Sequence, residues 1–335
     1  MEAGSSPELP VDAMTALKRF PFLAVVLAAF AMIPALASLA LPEPQPGDAN
    51  PTVAGSPQIN PGGKPPSDED IRARADKLVA NQHQDDQSLG QYERVEHHVD
   101  RTAGSNPRTL EDKLYRMVPT GAGTAKILLR DGGKSVDAAT YNHQMQDLKD
   151  LLQAMANPND PKAKAAAAKR AKRERDRAEF VDAARSAFNI RWIGTSTPHG
   201  RMCEVFQLDP NPNFKPHGMF QDALTHVTAT VWVDQATDQM VRGEARVTSD
   251  ISFGGGILGK LYRGGAVSME QAEVAPGVWL PTHYQYDFAG RKFLFAFEEH
   301  QSIDATRYRR VGAPGDALLI VQAELASGKS FIVDP

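Results

Sequence analysis

From Asn189 onward the chain alternates apolar and polar residues in a way that few folds can satisfy. THVTATVWVDQ (225–235) places Val227, Ala229, Val231 and Val233 on one face, and QMVRGEARVTSD (239–250) follows with Val241, Ala245 and Val247. Successive side chains of a strand point to opposite faces, so a period of two over short runs specifies strands with one buried face. Ala236-Thr237-Asp238 supplies the turn between these two. RWIGTSTPHGRMCEVFQLDP (191–210) reads as two more strands around Thr-Pro-His-Gly. VSMEQAEV (267–274), VWLPTHYQYDF (278–288) and RKFLFAFEEHQ (291–301) continue the meander, with Ala289-Gly290 as the last hairpin turn and TRYRRV (306–311) as a closing strand. Phe293, Phe295 and Phe297 then share a face. Six or more antiparallel strands with short turns predict one curved sheet wrapped around helices, an α+β protein.

The chain ahead of the sheet divides sharply. Residues 14–40 carry Lys18 and Arg19, an apolar core from Phe20 to Ile33, and the small-residue exits Ala35-Leu36-Ala37 and Ser38-Leu39-Ala40. That is the pattern of a secretory signal, with residues 1–40 removed on export; the competing reading is an uncleaved anchor, since Phe20–Leu41 is long enough to span a bilayer. Residues 41–66 hold eight prolines and four glycines, the composition of an extended linker. Ser67 with Asp68, Glu69 and Asp70 then opens a helix whose apolar stripe is Ile71, Ala75, Leu78 and Val79. Strands are expected at 90–101, 113–118 and 126–130.

A helical hairpin interrupts the strands at about 137–188. Ala138, Tyr141, Met145, Leu148, Leu152 and Met155 recur at helical spacing up to Asn157-Pro158. The second helix contains KAKAAAAKRAKRERDR (162–177), with eight basic and two acidic residues. Against a whole-chain balance of 37 basic and 41 acidic residues, this run is the strongest local charge, and Lys169, Arg170, Lys172 and Arg173 are its candidate contacts with an anionic membrane surface. The overall balance argues against a nucleic-acid partner.

Chemistry-bearing motifs are sparse. Gly254-Gly255-Gly256-Ile257-Leu258-Gly259-Lys260 matches parts of two phosphate-binding patterns, but Leu261-Tyr262-Arg263-Gly264-Gly265 follows where a helix N-terminus is required, so a glycine loop between strands is the better reading. Nine histidines show no metal-ligand spacing, and His97 and His98 point to opposite faces of one strand. No GxSxG elbow is present. Cys203, the single cysteine, lies among Met202, Val205 and Phe206 and reads as a buried thiol. No cofactor, metal or catalytic residue is expected.

VWVDQATDQMVRGEARV (231–247) and GGAVSMEQAEVAPGVWLPTHYQYDFAGRKFLFAFEE (264–299) resemble a strand–Asp–turn–strand hairpin and a glycine–strand–Trp-Leu-Pro–strand element of the LolA/LolB-like lipoprotein-carrier superfamily, the bacterial outer-membrane lipoprotein-sorting-like proteins. The resemblance implies an unclosed β-barrel over 67–311 with helices covering an apolar concave face, and non-enzymatic binding of acyl chains or a lipid-modified protein in the periplasm; residues 312–335 are left as a tail. The wall residues expected of such a cavity are Val231, Val233, Val241, Trp279, Phe293, Phe295 and Phe297, with Arg242 as the polar position on the matched hairpin. The alternatives are an envelope interaction protein whose sheet is fully packed, and an exported hydrolase with an unrecognised site.

Overall fold

The computed structural model describes residues 55–104 and 106–328, so the expected signal and most of the proline-rich segment lie outside the described residues. Helix α1 (Asp68–Leu89) starts where the sequence predicts: Ser67 Oγ accepts from the Asp70 amide at 3.1 Å while Asp70 accepts from the Ser67 amide at 3.2 Å. Strands β1 (Tyr92–Arg101), β2 (Thr109–Pro119), β3 (Thr124–Asp131) and β4 (Lys134–Ser135) follow. The helical hairpin is α2 (Ala138–Ala156), capped by Asp137, and α3 (Pro161–Ala187), with Asp160 as its cap and Pro161 in its first turn. Then come β5 (Phe188–Ser196), β6 (Cys203–Pro210), the short α4 (Met219–Leu224), β7 (Val227–Asp234), β8 (Met240–Val247), β9 (Ile251–Phe253), β10 (Gly259–Leu261), β11 (Ala266–Ala275), β12 (Val278–Lys292), β13 (Phe295–Arg310) and α5 (Pro314–Ser327).

All pairings are antiparallel, in the order β4-β3-β2-β1-β13-β12-β11-β8-β7-β6-β5, with the β9–β10 hairpin attached to the far end of β12. The sheet is not closed into a barrel, because its terminal strands β4 and β5 do not meet. β1 inserts beside β13, which joins the first strands of the chain to the last.

Two helical groups cover the sheet. Phe180, Ala183, Ala184 and Ala187 of α3, with Ala223 and Leu224 of α4, pack on Ala229, Ala245, Val267, Tyr286 and Ile303. Met145, Leu148 and Leu152 of α2 pack with Ala317 and Val321 of α5 against Val118 and Ile127. The stretch from 312 on, expected as a tail, thus supplies a packed helix. Pro314 sets its first turn, the Ala313 amide donates to Asp316 at 3.1 Å, and Gly328 ends it at φ 63°.

Two strand boundaries differ from expectation. The last hairpin turn sits at Phe293-Leu294, and β13 runs unbroken through the segment read as a separate closing strand. Gly290 is a close-approach glycine rather than a turn glycine: a Cβ there would lie 2.5 Å from the Lys260 carbonyl and 2.8 Å from the Phe297 ring. The end of the expected linker is also ordered. Asn60 and Thr195 exchange backbone hydrogen bonds of 2.7 and 2.9 Å, Ser196 Oγ donates to the Gln58 carbonyl at 2.7 Å, and Ile59, like Ile193, packs on the Cys203–Trp232–Trp279 cluster. These residues satisfy backbone groups that β5, as an edge strand, would otherwise leave open.

Candidate functional site

Beneath α1 the two layers do not fill their contact. A cavity of about 110 Å³ lies between Ile71, Ala75, Leu78 and Val79 of α1, Ala184 and Phe188 at the α3–β5 junction, and the sheet residues Phe206, Leu208, Ala229, Val231, Val233 and Met240. The α1 residues are the stripe read from the sequence, spaced so that one helix face meets the sheet. Small alanines on both layers leave the space, and the walls offer a ligand almost nothing but carbon.

The rim is polar. Arg74 donates to Asp238 at 2.6 Å and lies 3.4 Å from Glu204; Lys77 reaches Asp238 at 3.1 Å. Asn81 Nδ2 donates to the Thr237 and Asp238 carbonyls at 3.1 and 3.0 Å, and Arg185 of α3 pairs with Asp76. The β7–β8 turn that receives these contacts is itself fixed by Asp234, whose Oδ1 accepts from the Ala236 and Thr237 amides at 2.9 Å. Farther along α1, the buried Asp85 accepts from the Trp279 amide at 3.1 Å, and burial pushes its carboxyl up to about 6.

The expected wall residues separate into three places. Val231 and Val233 line the cavity. Val241 and Trp279 are buried on the opposite face with Cys203, Val205 and Trp232, and the Arg201 guanidinium stacks 4.5 Å from the Trp279 ring. A bulge between Trp232 and Val233 breaks the β7–β8 register, so Met240 faces the cavity where the alternation read from Val241 would have placed that residue. Phe297 packs against the main core, whereas Phe293 and Phe295 are exposed at the β12–β13 turn. Arg242 is opposite Trp232 and therefore outside the cavity; only 5% exposed, it pairs with Glu244 at 2.7 Å and with Glu270. The sequence reading missed Phe206 and Leu208, which pair with Val231 and Ala229 of β7, and Met240, which the β8 bulge brings opposite Val233.

Lys169, Arg170 and Lys172 are exposed on α3, and Arg173 donates to the Ala122 carbonyl at 3.2 Å. Gly254, Gly255 and Gly256 have φ of 57°, 64° and 87° in the β9–β10 loop, and a strand follows it. Burial raises the Cys203 thiol to about 12. Among the described residues no group of three or more His, Cys, Asp or Glu side chains is placed to hold a metal.

Buried ionic clusters occupy the other end of the sheet. Arg116, fully buried, donates to Glu93 at 2.9 and 2.7 Å and to Glu324 of α5 at 2.6 Å, while Arg309 pairs with the same two carboxylates. Nearby, burial works against an ionised Glu96, but Arg94 at 2.6 Å and His98 at 2.7 Å outweigh it and hold the carboxyl at about 2.

Comparison with known proteins found no matching family model and no matching curated protein. Among solved structures the chain is similar to a LolA-superfamily protein from Nitrosomonas europaea (10% identity, 74% of this chain and 96% of that one, TM-score 0.30). It is also similar to a DUF1329 family protein from Desulfovibrio piger (14% identity, 72% and 92%, TM-score 0.28). A third is a Vibrio parahaemolyticus domain named for outer membrane lipoprotein sorting (8% identity, 70% and 93%, TM-score 0.28). Likenesses at this level carry no functional argument.

Proposed function

We propose that this protein is a non-catalytic carrier that takes an acyl chain, free or on a lipid-modified protein, into the cavity beneath α1. The observation that carries this reading is the cavity's lining: thirteen of its sixteen residues are apolar, Glu244 is paired with Arg242, and the two arginines, Arg74 and Arg185, turn their charges to carboxylates at the rim, where an acyl head group would emerge. At about 110 Å³ the cavity is smaller than the roughly 300–1,000 Å³ usual for a ligand site. Entry of a chain therefore requires α1 to lift from the sheet. Part of its attachment suits that movement, since Lys77 and the Arg185–Asp76 pair are exposed and exposed ion pairs each contribute only about 0–1 kcal/mol, whereas Arg74–Asp238 is partly buried. A secretory signal at 14–40 would deliver such a carrier to the periplasm.

The test is binding of a fluorescent fatty-acid analogue, combined with native mass spectrometry of the purified protein. The carrier reading expects saturable binding, displacement by unlabelled fatty acid, and a co-purifying acyl mass. A clean mass without analogue binding would instead favour an interaction protein whose small cavity is a packing gap.

A further inference from the structure

Two turns meet at one tip of the sheet and leave large apolar side chains in water. Ile257 and Leu258 belong to the β9–β10 loop, and Phe293, Leu294 and Phe295 to the β12–β13 turn; Ile257 is 77% and Leu294 86% exposed. The loops are bound to each other: the Phe293 amide donates to the Leu258 carbonyl at 3.2 Å and Arg291 Nη2 to the Gly256 carbonyl at 3.1 Å. The five side chains therefore form one contiguous apolar cap on narrow turns, not scattered exposure, and such patches mark interaction sites.

Charge identifies the occupant. Segments 251–264 and 289–297 contain Lys260, Arg263, Arg291 and Lys292 and no Asp or Glu. Asp250, just before the first segment, pairs with Lys260 at 2.7 Å, and Glu298, just after the second, is exposed on β13. An apolar cap on a basic collar complements an anionic bilayer, with the cap entering the acyl boundary and the collar meeting phosphates. A protruding tip has no groove for a peptide and little area for a stable protein interface.

We infer that this double-turn tip, Ile257-Leu258 and Phe293-Leu294-Phe295 above Lys260, Arg263, Arg291 and Lys292, docks the protein on anionic lipid bilayers. Docking does not rest on the cavity reading, and a variant with its cavity filled should still bind vesicles.

The experiment uses Leu294→Cys labelled with an environment-sensitive fluorophore, which reacts selectively because Cys203 is buried. Mixed phosphatidylglycerol–phosphatidylcholine vesicles should shift the emission to the blue, and pure phosphatidylcholine or high salt should reverse most of it. In cosedimentation of the otherwise unaltered chain, Ile257→Ser with Leu294→Ser should weaken binding at least about tenfold, and Lys292→Gln about fivefold. All these positions are at least partly exposed, and unchanged circular dichroism would show that the fold is kept. No spectral shift with anionic vesicles would overturn the inference. So would a shift that grows with protein concentration without vesicles, the mark of two copies meeting tip to tip. Binding lost on replacing Lys169, Arg170 and Lys172 by Gln, but kept in the tip variants, would move the membrane contact to α3.

Discussion

The two ends of the sheet solve the burial of a helix in opposite ways. At the β1–β3 end, α5 is tied down by Arg116 and Arg309, which share the carboxylates of Glu93 and Glu324 in a desolvated cluster. At the β5–β8 end, α1 lies over a void walled by Phe206, Leu208, Val231 and Met240, and its ion pairs are partly buried or exposed at the rim. A buried ion cluster tolerates no partial opening, since separating one partner strands a charge without water. The first turns of α1, over an unfilled apolar gap and held at the rim, open at less cost, while the buried Asp85 keeps the end of the helix on Trp279. Rigidity and access are thus allotted to different halves of one sheet.

The comparison is most exposed to failure at Arg116. Arg116→Met should lower stability by about 3–5 kcal/mol in urea unfolding, because Glu93 and Glu324 are left with Arg309 alone to balance two carboxylates; a loss no larger than that of a rim substitution would erase the contrast. The next effect follows from Asp85. Its folded carboxyl is pushed up to about 6 from its ordinary 3.8, so between these values the native state holds the extra proton; the contribution of Asp85 to stability is fully present below about pH 4 and is lost as pH rises to 6. Asp85→Asn should flatten that decline and raise stability at neutral pH by about 1–3 kcal/mol, read from unfolding midpoints across pH. Filling the void with Ala75→Leu should leave folding intact and weaken the fatty-acid analogue about tenfold, matching roughly 1.4 kcal/mol. Smallest of all, Arg74→Ala should change stability by less than about 1 kcal/mol while speeding analogue entry in stopped flow. Unchanged entry would mean that α1 is not the moving part.

Much of this was written in local pattern. The α1 cap and stripe, the α2 periodicity and the β7 alternation all act between near neighbours, so Ile71, Ala75, Leu78, Val231 and Val233 could be placed before any fold was known. Where the reading failed, the cause was long-range. One extra residue in β8 sends Met240, not Val241, toward α1, and a bulge of that kind leaves no mark in alternation. Gly290 looked like a turn because nothing local announces that β10 crosses it. The α5 helix was different: Pro314 and Gly328 bracket it at the positions where helices begin and end, and the signal was present but unread.

The short run ahead of α1 carries a last implication. Gly194 approaches the Asn60 carbonyl so closely that a Cβ would lie 2.3 Å from it, which records how tightly 58–60 is laid along β5. A protein cut back to begin at Ser67 would keep every helix and strand named above, yet Thr195 of its outermost strand would present a bare amide and carbonyl to any neighbour. Such a truncation should precipitate or form ladders of chains before it loses its fold, and the proline-rich leader is in that sense the hem that keeps an open sheet from recruiting copies of itself.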